Sequence, residues 1–325
     1  MAISRSWRSA GSVDGPHRAG HEHIGELNEV FSAAFTDRYR RDGLSGVRVP
    51  YLNPAIWRYA IDDADEGAMI WRDDRGNIAA FNMVHQSGSE GWMGPLAVRA
   101  DQQGRGLGKE MVLRGVEWLR ERGAGVIGLE TMPRTVDNIG FYARLGFIPG
   151  HLTLTLTLDA VRQDAANVEL LSRLDGPSRA AAVEDCRALV DRILPGSDYT
   201  REILLTDQLE LGETLLLRDD DELVGFALAH TAPLVEGRTR DELRVLKLAL
   251  ADERRFGSFA RTVADYAKRV GTRRVSFRMQ GEYPEAFRQL VALGAHVRWS
   301  DLRLSLDGYR EPSPRSGMAL SNWEI

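Results

Sequence analysis

The sequence predicts an α+β fold, a mixed and mostly antiparallel sheet with flanking helices, built twice in tandem. Its length, an internal repeat and a recurring order of segments all point there. At 325 residues the chain exceeds one ordinary compact core and suits two units of about 150 residues. The segment Gly67 to Phe81 (GAMIWRDDRGNIAAF) is echoed by Gly212 to Phe226 (GETLLLRDDDELVGF). Each reads as a hairpin: a strand-like run meets Arg-Asp-Asp, turn chemistry follows, and a second apolar run ends in Phe. Further along, Arg144-Leu145-Gly146-Phe147 recurs as Ala292-Leu293-Gly294-Ala295, and the alternating strand Leu152 to Leu158 recurs as Leu302 to Leu306. Three echoes in the same order indicate a duplicated domain and not a solenoid period.

Taken in order, residues 1–20 carry Arg5, Arg8 and Arg18 with no apolar run behind them. They read as a flexible leader and not as a secretory signal. The first unit is expected over 21–158. Within it, Ile24 to Phe35 sets Ile24, Leu27, Val30, Phe31 and Ala34 at helical spacing and predicts the opening helix. The hairpin follows, ending in the strand Ile78 to Val84, and then the strand Trp92 to Val98. A helix begins near Leu107, with Met111, Val112, Gly115, Val116 and Leu119 as its apolar stripe. The strand Val126 to Thr131, a short helix and the strand Leu152 to Leu158 complete the unit. Residues 159–167 are polar and small and predict a linker. The second unit, 168–308, repeats the order, with Arg179 to Ile193 as its opening helix stopping before Pro195-Gly196. Gly308, Pro312, Pro314 and Gly317 then predict an extended tail over 309–325.

The bulk chemistry narrows the function. Basic residues number 42 and acidic residues 47, spread along the chain, so no basic stripe invites nucleic acid. Apolar runs such as Leu215-Leu216-Leu217 fall far short of the ~20 residues that cross a bilayer. A single cysteine, Cys186, rules out an internal disulfide framework and fits a reducing cytoplasm. Its neighbours Val183, Leu189 and Val190 place it at a packed helix position. His21 and His23 alternate as a strand-borne metal pair would, but no further ligand stands near them, so no metal site is expected.

The chemistry concentrates between the strand ending at Val98 and the helix beginning near Leu107. Gly104, Gly106 and Gly108 crowd that turn. Glycine permits positive φ and lets a ligand approach the backbone, so successive N–H groups can converge on an anion at a helix N-terminus. No Gly-Lys-Ser/Thr ending makes this a P-loop, and no G-x-G-x-x-G sits in an N-terminal βαβ unit.

The run Val98-Arg99-Ala100-Asp101-Gln102-Gln103-Gly104-Arg105-Gly106-Leu107-Gly108 resembles the Gln/Arg-x-x-Gly-x-Gly/Ala segment of the GCN5-related N-acetyltransferase (GNAT) superfamily. Phe141-Tyr142-Ala143-Arg144-Leu145-Gly146-Phe147 resembles its second signature, a Tyr-bearing helix followed by a Leu-Gly-Phe turn into a strand. The resemblance covers the first unit well and the second in outline, and implies two tandem GNAT-like domains. It implies acetyl-CoA, or another short acyl-CoA, as cosubstrate. The amides of Gln103, Gly104, Arg105, Gly106, Leu107 and Gly108 would hold its pyrophosphate, and the backbone of Leu96, Ala97 and Val98 would pair with the pantetheine arm. Arg105 and Lys109 add charge or stand solvated. Where the family commonly places Asn seven residues before the Tyr, this sequence has Thr135. Asn138 either replaces that contact or caps its helix.

Acyl transfer to an amine needs an acid for the departing thiolate and a base for the amine. Tyr142 is the acid by motif position. For the base, Glu130 at the end of its strand comes first and His85 second, with His85 read rather as a solvated hairpin residue. Trp92 and Met93 line the acceptor pocket or are plain core. The second unit reads Leu248-Ala249-Leu250-Ala251-Asp252-Glu253-Arg254-Arg255-Phe256-Gly257-Ser258 in place of the loop, with one glycine for three, and Leu290 in place of Tyr142. It is expected to keep the fold without the cofactor. The expected function is acetyl transfer to a small-molecule or peptide amine. The alternative is an acyl-CoA-binding sensor or partner-binding module without turnover. Oligomeric state stays open.

Overall fold

Two successive runs of the same elements build the protein in a computed structural model that describes residues 13–163 and 168–324. The first run holds β1 (Asp14–Arg18), α1 (Ile24–Arg41), α2 (Pro54–Ala64), β2 (Ala68–Arg72), β3 (Ile78–Ser87), β4 (Glu90–Val98), α3 (Leu107–Glu121), β5 (Val126–Thr131), α4 (Val136–Ala143) and β6 (Phe147–Asp159). The second holds β7 (Glu169–Leu170), α5 (Gly176–Ile193), α6 (Thr200–Gln208), β8 (Gly212–Asp219), β9 (Glu222–His230), β10 (Glu242–Leu250), α7 (Phe256–Arg269), β11 (Arg274–Gln280), α8 (Pro284–Ala292), β12 (His296–Leu306) and β13 (Met318–Ser321). This is the α+β class the sequence predicts, and both Arg-Asp-Asp segments are antiparallel hairpins.

Local chemistry accounts for the helix limits. Asn53 caps α2 by accepting from the Ala55 N–H at 3.0 Å, with Pro54 in the first turn where its missing N–H costs nothing. Asp175 caps α5 in the same way through Ser178, at 2.9 Å. Helix α1 runs past Phe35, where the apolar pattern stops, to Arg41. Ion pairs within that extra turn, such as Arg41 with Asp37 at 2.6 Å, support it from the solvent side.

The strands join in the order β1-β2-β3-β4-β5-β12-β6-β11-β10-β9-β8-β7, with β13 on β10. Both faces of the first half are covered, so β3 is buried along nearly its whole length. Phe81 and Met83 pack on the side of α1 and α2 with Leu27 and Trp57. Ala80 and Val84 pack on the opposite side with the α3 stripe, where Met111, Val112, Gly115, Val116 and Leu119 are all buried as their spacing predicts.

The order also shows an exchange. The strand that closes the second repeat, β12, pairs with β5 of the first half, Leu304 opposite Leu129. The last strand of the first half, β6, pairs with β11 of the second, Leu156 opposite Phe277. Each half therefore completes the other, and the expected split at 158 runs through a shared sheet.

Three expectations change at the edges. Of the leader, residues 1–12 lie outside the described residues, while 14–18 form β1 against β2. Of the linker, Asp159 ends β6 and 164–167 lie outside the described residues. The tail is no free extension: β13 pairs with β10, and Trp323 is 1% exposed. A Cβ on Gly128 of β5 would stand 2.3 Å from the Trp323 ring, so only glycine admits that indole. Burying it withdraws roughly 200 Å² from water, worth ~5 kcal/mol. Among the described residues no helix is long and apolar enough to cross a membrane. Cys186 is buried and burial pushes its thiol up, which suits packing and not nucleophilic work.

Candidate active site

The site begins where two parallel strands part. β4 pairs with β3 out to Val98, opposite Ala80, but with β5 only from Glu90 to Met93, opposite Val126 to Leu129. Beyond Met93 one backbone edge of β4, from Gly94 to Val98, therefore has no strand beside it. A cavity of about 360 Å³ opens there, walled by Met93, Gly94, Pro95 and Leu96 on one side and by Glu130, Thr131 and Met132 on the other. Leu96, Ala97 and Val98 meet β3 through Asn82, Phe81 and Ala80, leaving their other edge toward the opening.

His85 braces the bulge of β4 at Gly94-Pro95, where the pairing with β3 shifts register. It is fully buried, stacked on Trp92 at 4.0 Å, with Nδ1 2.5 Å from Asp63 and Nε2 3.1 Å from the Gly94 carbonyl. The solvated reading of His85 is thus corrected: the β3 alternation continues to Ser87 and turns His85 inward. Trp92 is core, while Met93 does line the cavity.

The open edge runs on into the glycine loop. Gly104 has φ +77° and Gly106, the residue preceding α3, has φ +90°. The N–H groups of Gly104, Arg105, Gly106, Leu107, Gly108 and Lys109 engage no protein acceptor among the described residues. Six unpaired amides at a helix start, with open space where Cβ atoms of Gly104 and Gly106 would stand, form a cradle for an anion. Gln103 braces the loop by donating to the Val98 carbonyl at 2.9 Å and accepting from Arg41 at 3.1 Å. Arg105 reaches Gln102 at 3.3 Å, and Lys109 stands exposed on the first turn.

Tyr142 and Asn138 project from α4 into the same cavity. Burial pushes the Tyr142 phenol up and holds it neutral, with no charged group opposing. Asn138 is the third residue of α4, whose cap position is Thr135, so it does not cap the helix. Its amide stands 3.5 Å from the Thr131 hydroxyl. Thr135 is fully buried and donates to Asp42 at 2.7 Å.

Glu130 lines the cavity but is committed elsewhere. Its side chain is 2% exposed, 2.8 Å from Arg303, ion-paired with Arg278 and accepting from Thr153 at 2.6 Å. Burial alone would raise its carboxyl, but the two guanidiniums and the Thr153 hydroxyl bring it down to about 2. So acidic a carboxylate is a weak proton acceptor near neutrality, which opposes the base role expected for it. Both arginines come from the second half, out of reach of local sequence reading. Asp301 and Glu324 approach the same Arg278, at 3.1 and 2.9 Å. The three carboxylates lie close enough for a metal, but Arg278 already supplies the cation between them.

Residues 28–147 match the model of the acetyltransferase (GNAT) family. This segment is a GNAT domain. The cradle and the open strand edge both lie within this segment. A mycothiol acetyltransferase of Nocardia farcinica is 44% identical over 50 residues, which is 15% of this chain and 16% of that relative. The matched segment thus spans a small part of either protein. Among solved structures, a GCN5-related N-acetyltransferase from Sphaerobacter thermophilus superposes with a TM-score of 0.59 at 15% identity, over 96% of this chain and 98% of that one. A tandem GNAT protein from the clavulanic acid biosynthesis pathway gives 0.58 at 13% identity, over 90% and 98%. At these identities the likeness is one of fold, and it extends over both halves.

The second half has the same parting of strands, filled from within. β10 pairs with β11 only from Glu242 to Arg244. From Lys247 to Leu250 its edge is taken by β13, Ser321 to Met318, and Gln280 of β11 holds the Ser321 carbonyl at 3.2 Å. The loop before α7 is satisfied too: Gly257 N–H donates to Gln289 at 2.6 Å, and Arg254 N–H to Asp252 at 3.0 Å. Leu290, in the Tyr142 position, is core.

Proposed function

We propose that the first GNAT unit transfers an acetyl group from acetyl-CoA to a primary amine by direct attack, with one cosubstrate per chain and a reducing cytoplasm as its setting. The observation that carries this reading is the continuity of the free Gly94 to Val98 edge with six unpaired loop amides. An extended pantetheine arm can lie along the edge as an added strand while the free amides of Gly104 to Gly108 hold the pyrophosphate; the N–H of Gln103, also expected there, donates to the Ala100 carbonyl at 3.4 Å. That path leads the thioester toward Tyr142, with Asn138 one turn earlier on the same helix. A strand amide near Val98 can polarise the carbonyl.

Tyr142 supplies the proton needed by the departing sulfur. A phenol raised by burial stays protonated through the working range, so the donor form is always present. Removing it should slow the chemical step and leave cosubstrate binding intact. We expect Tyr142→Phe to lower kcat by roughly 100-fold or more with acetyl-CoA affinity unchanged. Thiol release from acetyl-CoA across a panel of amines, with calorimetry beside it, checks both. Wild-type protein that binds acetyl-CoA but releases no thiol with any amine would favour a sensor over an enzyme.

A further inference from the structure

β13 fills the second half's opening and also sets where the chain goes next. Asn322 N–H donates to the Leu246 carbonyl at 2.9 Å. Trp323 then seats its indole over Arg303 at 4.0 Å and donates to Glu90 at 2.5 Å. The chain has by then crossed into the first half, and Glu324 enters the lining of the cavity that holds Tyr142. Of the three carboxylates around Arg278, Glu130 and Asp301 are 2% and 3% exposed, whereas Glu324 is 49% exposed. It alone can swing toward a ligand. The rest of the lining is largely apolar, with Phe31, Phe35, Leu52, Tyr39 and Trp299, and its one further cation among the described residues, Arg38, is ion-paired with Asp42 and Asp137.

Resting on the acetyltransferase reading, we propose that this cavity takes a primary amine carried on an aromatic or branched apolar body, and that Glu324 receives the ammonium proton. The groups facing Glu324 are Arg278 on β11, Asp301 on β12, Glu130 on β5, Arg244 on β10 and Tyr39 on α1. Partial enclosure by the cavity wall raises the half-exposed carboxyl, Arg278 and Arg244 lower it, and Asp301 and Glu130 raise it again, moving it up toward about 7. A base near the working pH is the efficient kind, which Glu130 at about 2 is not. In the reaction, Glu324 takes one proton from the ammonium and later returns it to water. The freed nitrogen pair forms the C–N bond as the C–S pair leaves with sulfur. Sulfur takes the Tyr142 proton, and the new amide nitrogen, now acidic, restores it.

Phenethylamine and tryptamine serve as probes, with thiol release followed from pH 5.5 to 9 and acetyl-CoA binding measured by calorimetry. We expect kcat/KM for these amines to rise through about 7 and then level. Glu324→Gln should lose that limb and at least ~100-fold in kcat, with acetyl-CoA affinity unchanged and a melting temperature lowered far less than by Glu130→Gln, because Glu324 is half-exposed. Glu324→Asp should recover part of the rate with the limb present. A Glu324→Gln enzyme of near wild-type rate that keeps the limb overturns the base assignment. Protein that binds acetyl-CoA yet neither binds nor acetylates either amine overturns the acceptor class. Failure to bind acetyl-CoA at all strikes the underlying acetyltransferase reading instead.

Discussion

Gly106→Asp is expected to abolish acetyl-CoA binding. At φ +90° a non-glycine residue costs ~1–2 kcal/mol, and a carboxylate set among the loop amides repels a pyrophosphate by several kcal/mol more. Since each ~1.4 kcal/mol is a factor of ten, the loss should reach about 1,000-fold. The fold should survive, because nothing lies within 4 Å of the new Cβ. Gly106→Ala carries the backbone term alone and should lose only about tenfold. Calorimetric titration of both variants separates conformation from charge. Stoichiometric binding by Gly106→Asp would mean that the cosubstrate sits elsewhere.

Replacing Glu130 by Gln should act on stability before it acts on chemistry. The change leaves Arg278 and Arg303 buried with less opposing charge, and breaking such a pair costs ~3–5 kcal/mol. Thermal and urea denaturation should show that loss. The pH dependence carries a matching signature. Glu130 is held at about 2 when folded, against an ordinary value of ~4.3. Its contribution is therefore complete above the ordinary value and is lost as pH falls toward 2. The Glu130→Gln protein should lack that share of acid destabilisation. A variant as stable as wild type but without activity would restore Glu130 as the base.

The contrast between Glu130 and the glycine loop explains what the sequence could disclose. Gly104, Gly106 and Gly108 act through their own backbone, and the hairpins and α3 follow from spacing within a dozen residues, so local reading reached them. Glu130 is defined by partners 148 and 173 residues away, and nothing near it in sequence signals a pair. The strand exchange was hidden for a related reason. Leu152 to Leu158 and Leu302 to Leu306 alternate alike, and either could close either half; pairing is decided in the assembled sheet. Met318 to Ser321 is too short between glycine and polar residues to announce a strand, and its role depends on an opening made by β10 and β11. His85 reads as a solvated hairpin residue because the apolar run before it stops one residue early, while in the fold Asp63 of α2 gives it a buried partner.

The proposal of one cosubstrate per chain rests on three features of the second half that agree: one loop glycine in place of three, the Gly257 N–H already bonded to Gln289, and β13 in the slot. A crystal structure of the protein with bound CoA tests the whole account most directly. It should show one CoA per chain, its pyrophosphate on the amides of Gly104 to Gly108, its pantetheine along Gly94 to Val98 and its sulfur at Tyr142. CoA in the second half with β13 displaced, or at the first half without touching the loop, would contradict it.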